Sequence, residues 1–526
     1  MIRARGFTTT AAAASLAALL LAACGGGSGG KSTSGSGGGA SGKPVAGGSA
    51  NVLTLSEWRT LDPALNGNNF ASGAIVGNAL YGTLLTDDPR SGRIQPSLAT
   101  SFNSADGGRT YELKLRDGLK FTDGTPLDAA AVKTNWDRMR APRTGSPYLA
   151  DASLVASTKA LDARTLQVRM AEPESHFAES VVTTSLNWIA SPTALAKGAK
   201  SFDAHPVGAG PFTLKEWRRQ DAMVLAKNPG YWDAPKPYLD TLTLRVALDA
   251  TQRLNTVTSG GADLAVESNW QNLKKAQDAG LSTNTMPLSG GTYLALNTRR
   301  APFDDPRARA AVAAAVDFDA VNTSVFNGAG QMVDTLFDKS SAYYADIPVS
   351  KPDPATAQKL FDQVAADGKA VSFTITTTAS TESKATAEAI QAQLSRFKNV
   401  TVKIKVVEFA EFLTLQTSHD FDVTTSSAAF LDPEPRLSTA FASTSPTNMS
   451  GISDKQLDAA LNKGRTETGV DKRRAAYEEA QKRLVELHPV LWVNRTAAGV
   501  IAVRAVGGIA QYGFGSLRPE QLWIGH

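Results

Sequence analysis

Alternating apolar and polar positions predict strands at 52–55, 111–116, 165–170, 241–247, 371–377 and 400–407. Stretches with helical spacing lie between them. Asp305 and Pro306 supply an N-cap and a first-turn proline, which predicts a helix running to about Val321. Ser453 with Gln456 reads as a capping box, and Gly464 as the stop of that helix. A further helix is predicted over 471–487, ending before Pro489. Each helix carries an apolar face, and burial of that face in a core accounts for it. Strands and helices mix throughout, with no repeat at a period of roughly 20–50 residues. The pattern predicts an α/β protein of more than one lobe.

The chain starts differently. Arg3 and Arg5 precede an apolar run from Ala11 to Ala23, which is too short to span a bilayer. Residues 1–23 read as a secretory signal. The run ends in Leu21-Ala22-Ala23-Cys24, which resembles the bacterial lipobox, whose cysteine is lipidated and becomes the mature N-terminus. Acyl chains on Cys24 would hold the protein on a membrane without a transmembrane helix. Of the 26 residues from Gly25 to Ala50, 12 are Gly and 6 are Ser, so they cannot bury apolar surface. Residues 24–50 are expected to form a lipidated cysteine and a slack tether, spanning roughly 25–30 Å as a coil. The tract satisfies the P-loop pattern from Gly25 to Ser32, and nucleophile-elbow and dinucleotide patterns besides. Each needs a strand before it and a helix after it, and neither is predicted here.

Composition narrows the chemistry. Hydrophobic residues make up 42% and charged residues 20% of the 526, as in an ordinary globular protein. The formal charge of +4 drops by two when the signal leaves. That near-balance, with no long basic run, argues against a nucleic-acid partner. Cys24 is the single cysteine, which excludes disulfide frameworks, Cys-based zinc sites and Fe–S clusters. The five histidines, His176, His205, His419, His488 and His526, are scattered, and no HExxH occurs. No metal or cofactor is expected. No GxSxG lies outside the tether, and carboxylate pairs such as Asp87-Asp88 fall in turns or on solvated helix faces. No catalytic residue is assigned, and a binding protein is favoured over an enzyme.

Several blocks, in order, carry a resemblance. Leu61-Asp62-Pro63 follows the first strand. NALYGTLL at 78–85, QPSLA at 95–99, SADG at 104–107, TYELKLRDG at 110–118 and KFTDGTPL at 120–127 come next. PVGAGPF at 206–212, NPGYW at 228–232, Gln252-Arg253, GGAD at 260–263, LALN at 294–297, PFDD at 302–305 and RAAV at 309–312 complete the series. Together they resemble the family 5 extracellular solute-binding proteins, the peptide and nickel receptors of ABC importers.

The resemblance implies a periplasmic-binding-protein-like fold (type II, cluster C) with three lobes and hinge closure between two of them. Lobe I would comprise 51–83, 206–288 and 496–526, lobe II 84–205, and lobe III 289–495. Lobes I and III would close over the ligand around two crossing segments near 288 and 495. The implied partners are a peptide or other small solute and ABC permease and ATPase subunits. The implied place is the extracytoplasmic face of the cell membrane, and a monomer is expected. The family's ammonium-binding Asp matches Asp432, with Phe430 as the neighbouring aromatic; the alternative for Asp432 is a turn residue before Pro433. Asp432→Ala is expected to abolish peptide binding and leave the fold intact. The region matching the dipeptide receptors' carboxylate-clamping Arg, 375–380, contains no Arg. This favours an oligopeptide over a dipeptide. Trp58, Trp270, Asn69 and Tyr293 are further candidates for the cleft wall, with core packing as the alternative for each aromatic. Three readings remain beside the peptide receptor: a receptor for another solute such as chelated nickel, a secreted lipoprotein hydrolase on the same fold, and a module that binds a partner protein.

Overall fold

The computed structural model describes residues 42–525; the signal, Cys24 and the tether up to residue 41 lie outside the described residues. The first strand is Ser49–Thr54, which begins inside the stretch read as tether. Its alternation sends Ala50 and Val52 to one hydrophobic core and Leu53 to another. The strand is central in a seven-stranded sheet, parallel to both Thr241–Val246 and Leu264–Glu267. Leu264–Glu267 is buried along its whole length, as expected of a parallel strand covered on both faces. The sheet is completed by Ala222–Lys227, Phe212–Arg218, Gly499–Ala502 and Ser282–Thr285. One face packs on Ile75, Val76, Tyr81 and Trp188. The other packs on the helices Ala250–Thr258 and Trp270–Asp278.

A four-stranded antiparallel sheet is built from Ala99–Ser104, Thr110–Leu115, Thr165–Met170 and Val155–Ala160. Tyr111, Leu113, Leu115, Leu166 and Val168 point to one side, against Trp136 and Phe177. Trp136 lies on the helix Ala129–Arg140, and its indole N–H donates to the Leu186 carbonyl at 2.8 Å. A five-stranded sheet runs in the order Val400–Val407, Val371–Thr378, Val423–Phe430, Ser289–Leu296, Val490–Trp492. In Ser289–Leu296, Leu294 and Leu296 enter a core with Phe303, Phe361 and Ile390. Tyr293 and Ala295 enter the opposite core, with Leu457, Tyr477 and Trp492.

Two helix predictions change. The helix after Pro306 stops at Ala315, and a second runs Phe318–Phe326. The cause is local: Asp317 is extended, and its carboxylate accepts from the Asp319 and Ala320 N–H groups as a new N-cap. In the helix Lys455–Thr466, the cap is Asp454, which accepts from Leu457 N at 2.8 Å, and Ser453 lies outside it. Gly464 does not end this helix. A Cβ there would meet the Tyr477 ring at 2.4 Å, so the glycine lets the helix Val470–Leu487 come close.

Two passes of chain link the five-stranded sheet to the rest. Met286 N–H donates to Ala498 O at 3.1 Å, and Thr292 N–H to Asn494 O at 2.8 Å. Gly290 and Gly291 have φ of +62° and +149°, and a Cβ would fall 1.9 Å from Ala428 O or 2.3 Å from Asn494 O. Only glycine permits that approach. The buried Arg495 guanidinium donates to the carbonyls of Gly290 and Thr335, at 3.3 and 2.9 Å.

Beneath the seven-stranded sheet, Arg253 and Glu267 form an ion pair of 2.8 Å, their side chains 2% and 0% exposed. Glu267 also accepts from the N–H groups of Ser268 and Asn269. Removing the cation leaves a buried, unbalanced carboxylate. Arg253→Ala should therefore lose about 3–5 kcal/mol of unfolding free energy. Urea unfolding followed by tryptophan fluorescence measures this, and a loss below about 1 kcal/mol would refute the role given to the pair.

Candidate functional site

Asp432 follows the central strand Val423–Phe430, and the strand's course carries it out of the sheet toward the rest of the chain. Its carboxylate does not stand free. Arg473, on the helix Val470–Leu487, holds it by two hydrogen bonds of 2.7 and 2.8 Å. The Tyr343 hydroxyl lies 3.3 Å from the same carboxylate, and Glu434 N–H donates to it at 3.0 Å. Arg473 also bonds the Tyr343 hydroxyl and sits over the Tyr343 and Tyr477 rings. Burial works to raise the Asp432 carboxyl, but the Arg473 guanidinium outweighs it and keeps the group below the ordinary carboxylate range. Asp432 is ionised, oriented and still 12% exposed.

Glu434, two residues on, is in a different state. One carboxylate oxygen accepts from Tyr477 and Ser438, each at 2.9 Å. The other, Oε2, is buried without a partner. Burial, with the charges of Glu174 and Asp432, pushes this carboxyl up to about 7 against its two hydrogen bonds. No basic side chain pairs with it among the described residues.

Asp432 borders a cavity of about 20 Å³. Leu431 and Tyr343 line it from the five-stranded side, Pro287 and Ser289 from the first crossing segment. Arg90 and Ser91 line it from the turn that joins the short strands Leu85–Asp87 and Ile94–Pro96. Asp88 fixes that turn by accepting from the N–H groups of Arg90 and Ser91. The volume admits about one water, so anything larger enters only if the walls part.

The other candidates are placed elsewhere. Phe430 is 2% exposed and packs on Phe337 at 5.7 Å between ring centres. Tyr293 is buried between Phe441 and Trp492. Trp58 packs at a tilt on Trp188 with ring centres 5.8 Å apart, donates to Ser72 O at 2.7 Å, and lines a separate cavity of about 30 Å³ with Trp217 and Met223. Asn69 caps a short 3-10 turn by accepting from Ser72 N–H. Trp270 donates to Arg495 O at 2.8 Å, tying its helix to the second crossing segment. The structure thus brings Asp432 alone of these six to the Asp432 cavity. The sequence reading did not single out Arg473, Tyr343, Glu434 or Arg90. Arg473 sits in a run of charged helical positions that reads as a solvated face. Gly290-Gly291 at the start of an apolar run is a further sign in the sequence of the close crossing there.

A family model described as bacterial extracellular solute-binding proteins, family 5 Middle, matches residues 93–448. The glutathione-binding protein GsiB of Shigella boydii is 31% identical over 311 residues, which is 59% of this chain and 60% of that relative. The peptide-bound periplasmic binding protein DppA of Helicobacter pylori superposes with a TM-score of 0.76 at 22% identity, over 92% of this chain and 99% of that one. NikA of Brucella suis, solved with Fe(III)-EDTA, gives 0.75 at 26% identity, over 90% and 98%. These neighbours share the fold, which is that of type II periplasmic binding proteins. Among the described residues no helix is long and apolar enough to cross a membrane.

The Arg473 pairing corrects the expectation that Asp432→Ala spares the fold. Truncation leaves a buried guanidinium without its counter-charge and should cost about 3–5 kcal/mol. Asp432→Asn, which keeps acceptor and shape, should lose less. Equal midpoints for the wild type and the alanine variant in thermal unfolding would contradict this.

Proposed function

The chain belongs to the bacterial extracellular solute-binding proteins of family 5, and from that premise we propose that it captures peptides, longer than dipeptides, for an ABC importer. In this reading lobe I is 51–83, 206–288 and 496–526, lobe II is 84–205, and lobe III is 289–495. Lobe III swings about the crossing segments, and the peptide lies between it and lobe I, with the lobe II turn at 90–92 walling the Asp432 end of the cleft. A lipid on Cys24 and the tether keep the receptor beside its permease on the extracytoplasmic face.

The observation that carries the reading is the ionised Asp432 at a cavity walled by four separate stretches of chain. Its electrostatics favour a cationic ligand end. Asp432 is paired with Arg473, while Glu434 has no basic partner among the described residues. A peptide ammonium at the cavity would bond the ionised Asp432 carboxylate directly. A charge-assisted hydrogen bond of that kind is worth about 1.5–3 kcal/mol. At the other end, the strand Val371–Thr378 ends in threonines and offers no arginine for a ligand carboxylate. A peptide long enough to place its carboxylate elsewhere suits such a site. The family is one of transport receptors, and turnover of the ligand is not expected.

A thermal-shift screen against pooled peptides of increasing length tests this. A peptide at a hundred times its Kd should stabilise the protein by about 2.7 kcal/mol and be recovered uncut. Asp432→Asn should weaken binding roughly ten- to hundredfold. Cleaved peptide would favour the hydrolase, a response to metal chelates alone the nickel-type receptor, and no small-molecule response a protein-binding module.

A further inference from the structure

Residues 173–177 connect the four-stranded sheet to the five-stranded body at a place no ligand argument requires. The Glu174 side chain accepts from Arg465 at 3.2 Å, and Arg465 also reaches Pro173 O at 3.3 Å. The Ser175 hydroxyl donates to Thr466 O at 2.9 Å. His176 Nε2 lies 2.8 Å from Glu467 O. Thr466 and Glu467 end the helix Lys455–Thr466, so both carbonyls belong to the negative pole of its dipole. All four contacts join residues almost 300 positions apart in the chain.

The near side of this junction is rigidly built. Gly108 approaches so closely that a Cβ would meet the Glu174 carbonyl carbon at 2.3 Å. Glu174 N–H donates to Gly108 O at 3.0 Å, and the Tyr111 hydroxyl donates to Glu174 O at 2.7 Å. The segment is held in place by its own sheet and meets the other body as a preformed tooth.

His176 is the member of this set that titrates near neutrality. Both ring nitrogens face acceptors: Nε2 the Glu467 carbonyl, and Nδ1 the Glu179 carboxylate at 3.4 Å. A neutral imidazole has one N–H and cannot donate to both; the imidazolium can. The ring is 9% exposed, so water does not readily replace a partner. Its charged surroundings are Glu174 and Glu179 on its own side, and Arg465, Glu467, Lys472, Arg473 and Asp432 across the junction, with Asp87 beyond Glu179 and Glu434 beyond Glu174, both buried and pushed up to about 7. Burial opposes the charged ring and Arg473 adds to that. The hydrogen bond and charge of Glu179 and the charge of Asp432 prevail, and the imidazole is held above its ordinary value. A group raised in this way stabilises the joined state below its unfolded value, and that contribution is lost as pH rises through the raised one.

We propose that Glu174, Ser175 and His176 form a proton-sensitive latch that fastens lobe II to lobe III when the cleft is closed. The proposal rests on the hinge-closure reading above and adds a second fastening, away from the ligand and the crossing segments. Protonated His176 bridges Glu179 and the end of the helix Lys455–Thr466. Loss of its proton leaves Nδ1 facing a carboxylate, and the latch slackens. A receptor built this way is more closed in mildly acidic surroundings, with or without a ligand.

The test uses the full chain with Cys24→Ser and fluorophores on Lys159→Cys and Lys455→Cys, one exposed site on each side. Single-molecule energy transfer reads the inter-lobe distance from pH 5.5 to 8.5, without solute and with a mixed synthetic peptide pool. The ratio of closed to open molecules should fall as pH rises, by at most about tenfold per pH unit, the limit for one linked proton. His176→Gln keeps an N–H for Glu467 O but cannot titrate, and should flatten the response. Glu179→Gln, whose amide can donate to Nδ1, should move the response to lower pH. A pH-independent distance that still shortens with peptides would overturn the latch and leave hinge closure standing. An unchanged pH response in His176→Gln would also overturn it. A distance that answers to neither pH nor peptide would remove hinge closure and the latch together.

Discussion

The contact between the two crossing segments is the constraint on which the arrangement depends. Strand Ser289–Leu296 enters its sheet through Gly290 and Gly291, pressed against Ala428 and Asn494 more closely than any side chain permits. Arg495 then threads back among the carbonyls of Gly290 and residues 335–337. Burial lowers this guanidinium's hold on its proton, and the nearest carboxylate, Asp338, is 3.9 Å away. Carbonyl dipoles therefore carry most of its compensation. A cation satisfied mainly by backbone fixes backbone geometry, and both chain passes are pinned at one place. Trp270 adds a bond from the neighbouring helix to Arg495 O. In the proposed hinge closure, these few residues set how far the two bodies can turn.

Around that pivot, charge is distributed in pairs with one member left over. Asp432 with Arg473, Glu174 with Arg465 and His176 with Glu179 each bring opposite charges together at the interface of the two bodies. Glu434 is the exception, buried and half-satisfied. Buried pairs of this kind contribute little net stability against apolar replacements, yet breaking one is costly. Their value here is positional. Arg473, for one, holds the Asp432 carboxyl below the ordinary carboxylate range where burial alone would raise it.

Much of the fold was legible before any coordinates. Strands 165–170 and 400–407 coincide with Thr165–Met170 and Val400–Val407, because each alternates cleanly with one face in a core. The Asp-Gly pairs at 106–107 and 123–124 carry an equally local signal, a turn, and Gly107 and Gly124 both adopt positive φ. Asp317 and Gly464 misled, since one is a cap inside an alanine-rich run and the other a packing contact set by Tyr477. The site was less legible. Asp432 was found through a family likeness, but its guanidinium partner lies 41 residues away on a helix rich in charges of both signs. Burial of Arg473, and of Trp58, Tyr293 and Phe430, is decided by tertiary packing, which periodicity does not encode.

Capture of a small solute between the two bodies is the central claim, and hydrogen exchange on the protein before and after its bound solute is stripped tests it most directly. The account requires the solute to protect two sets of amides at once: those of the turn at 88–93 and those at 340–343 and 431–434 on the opposite wall. Protection confined to one wall, or spread without reference to either, would contradict it.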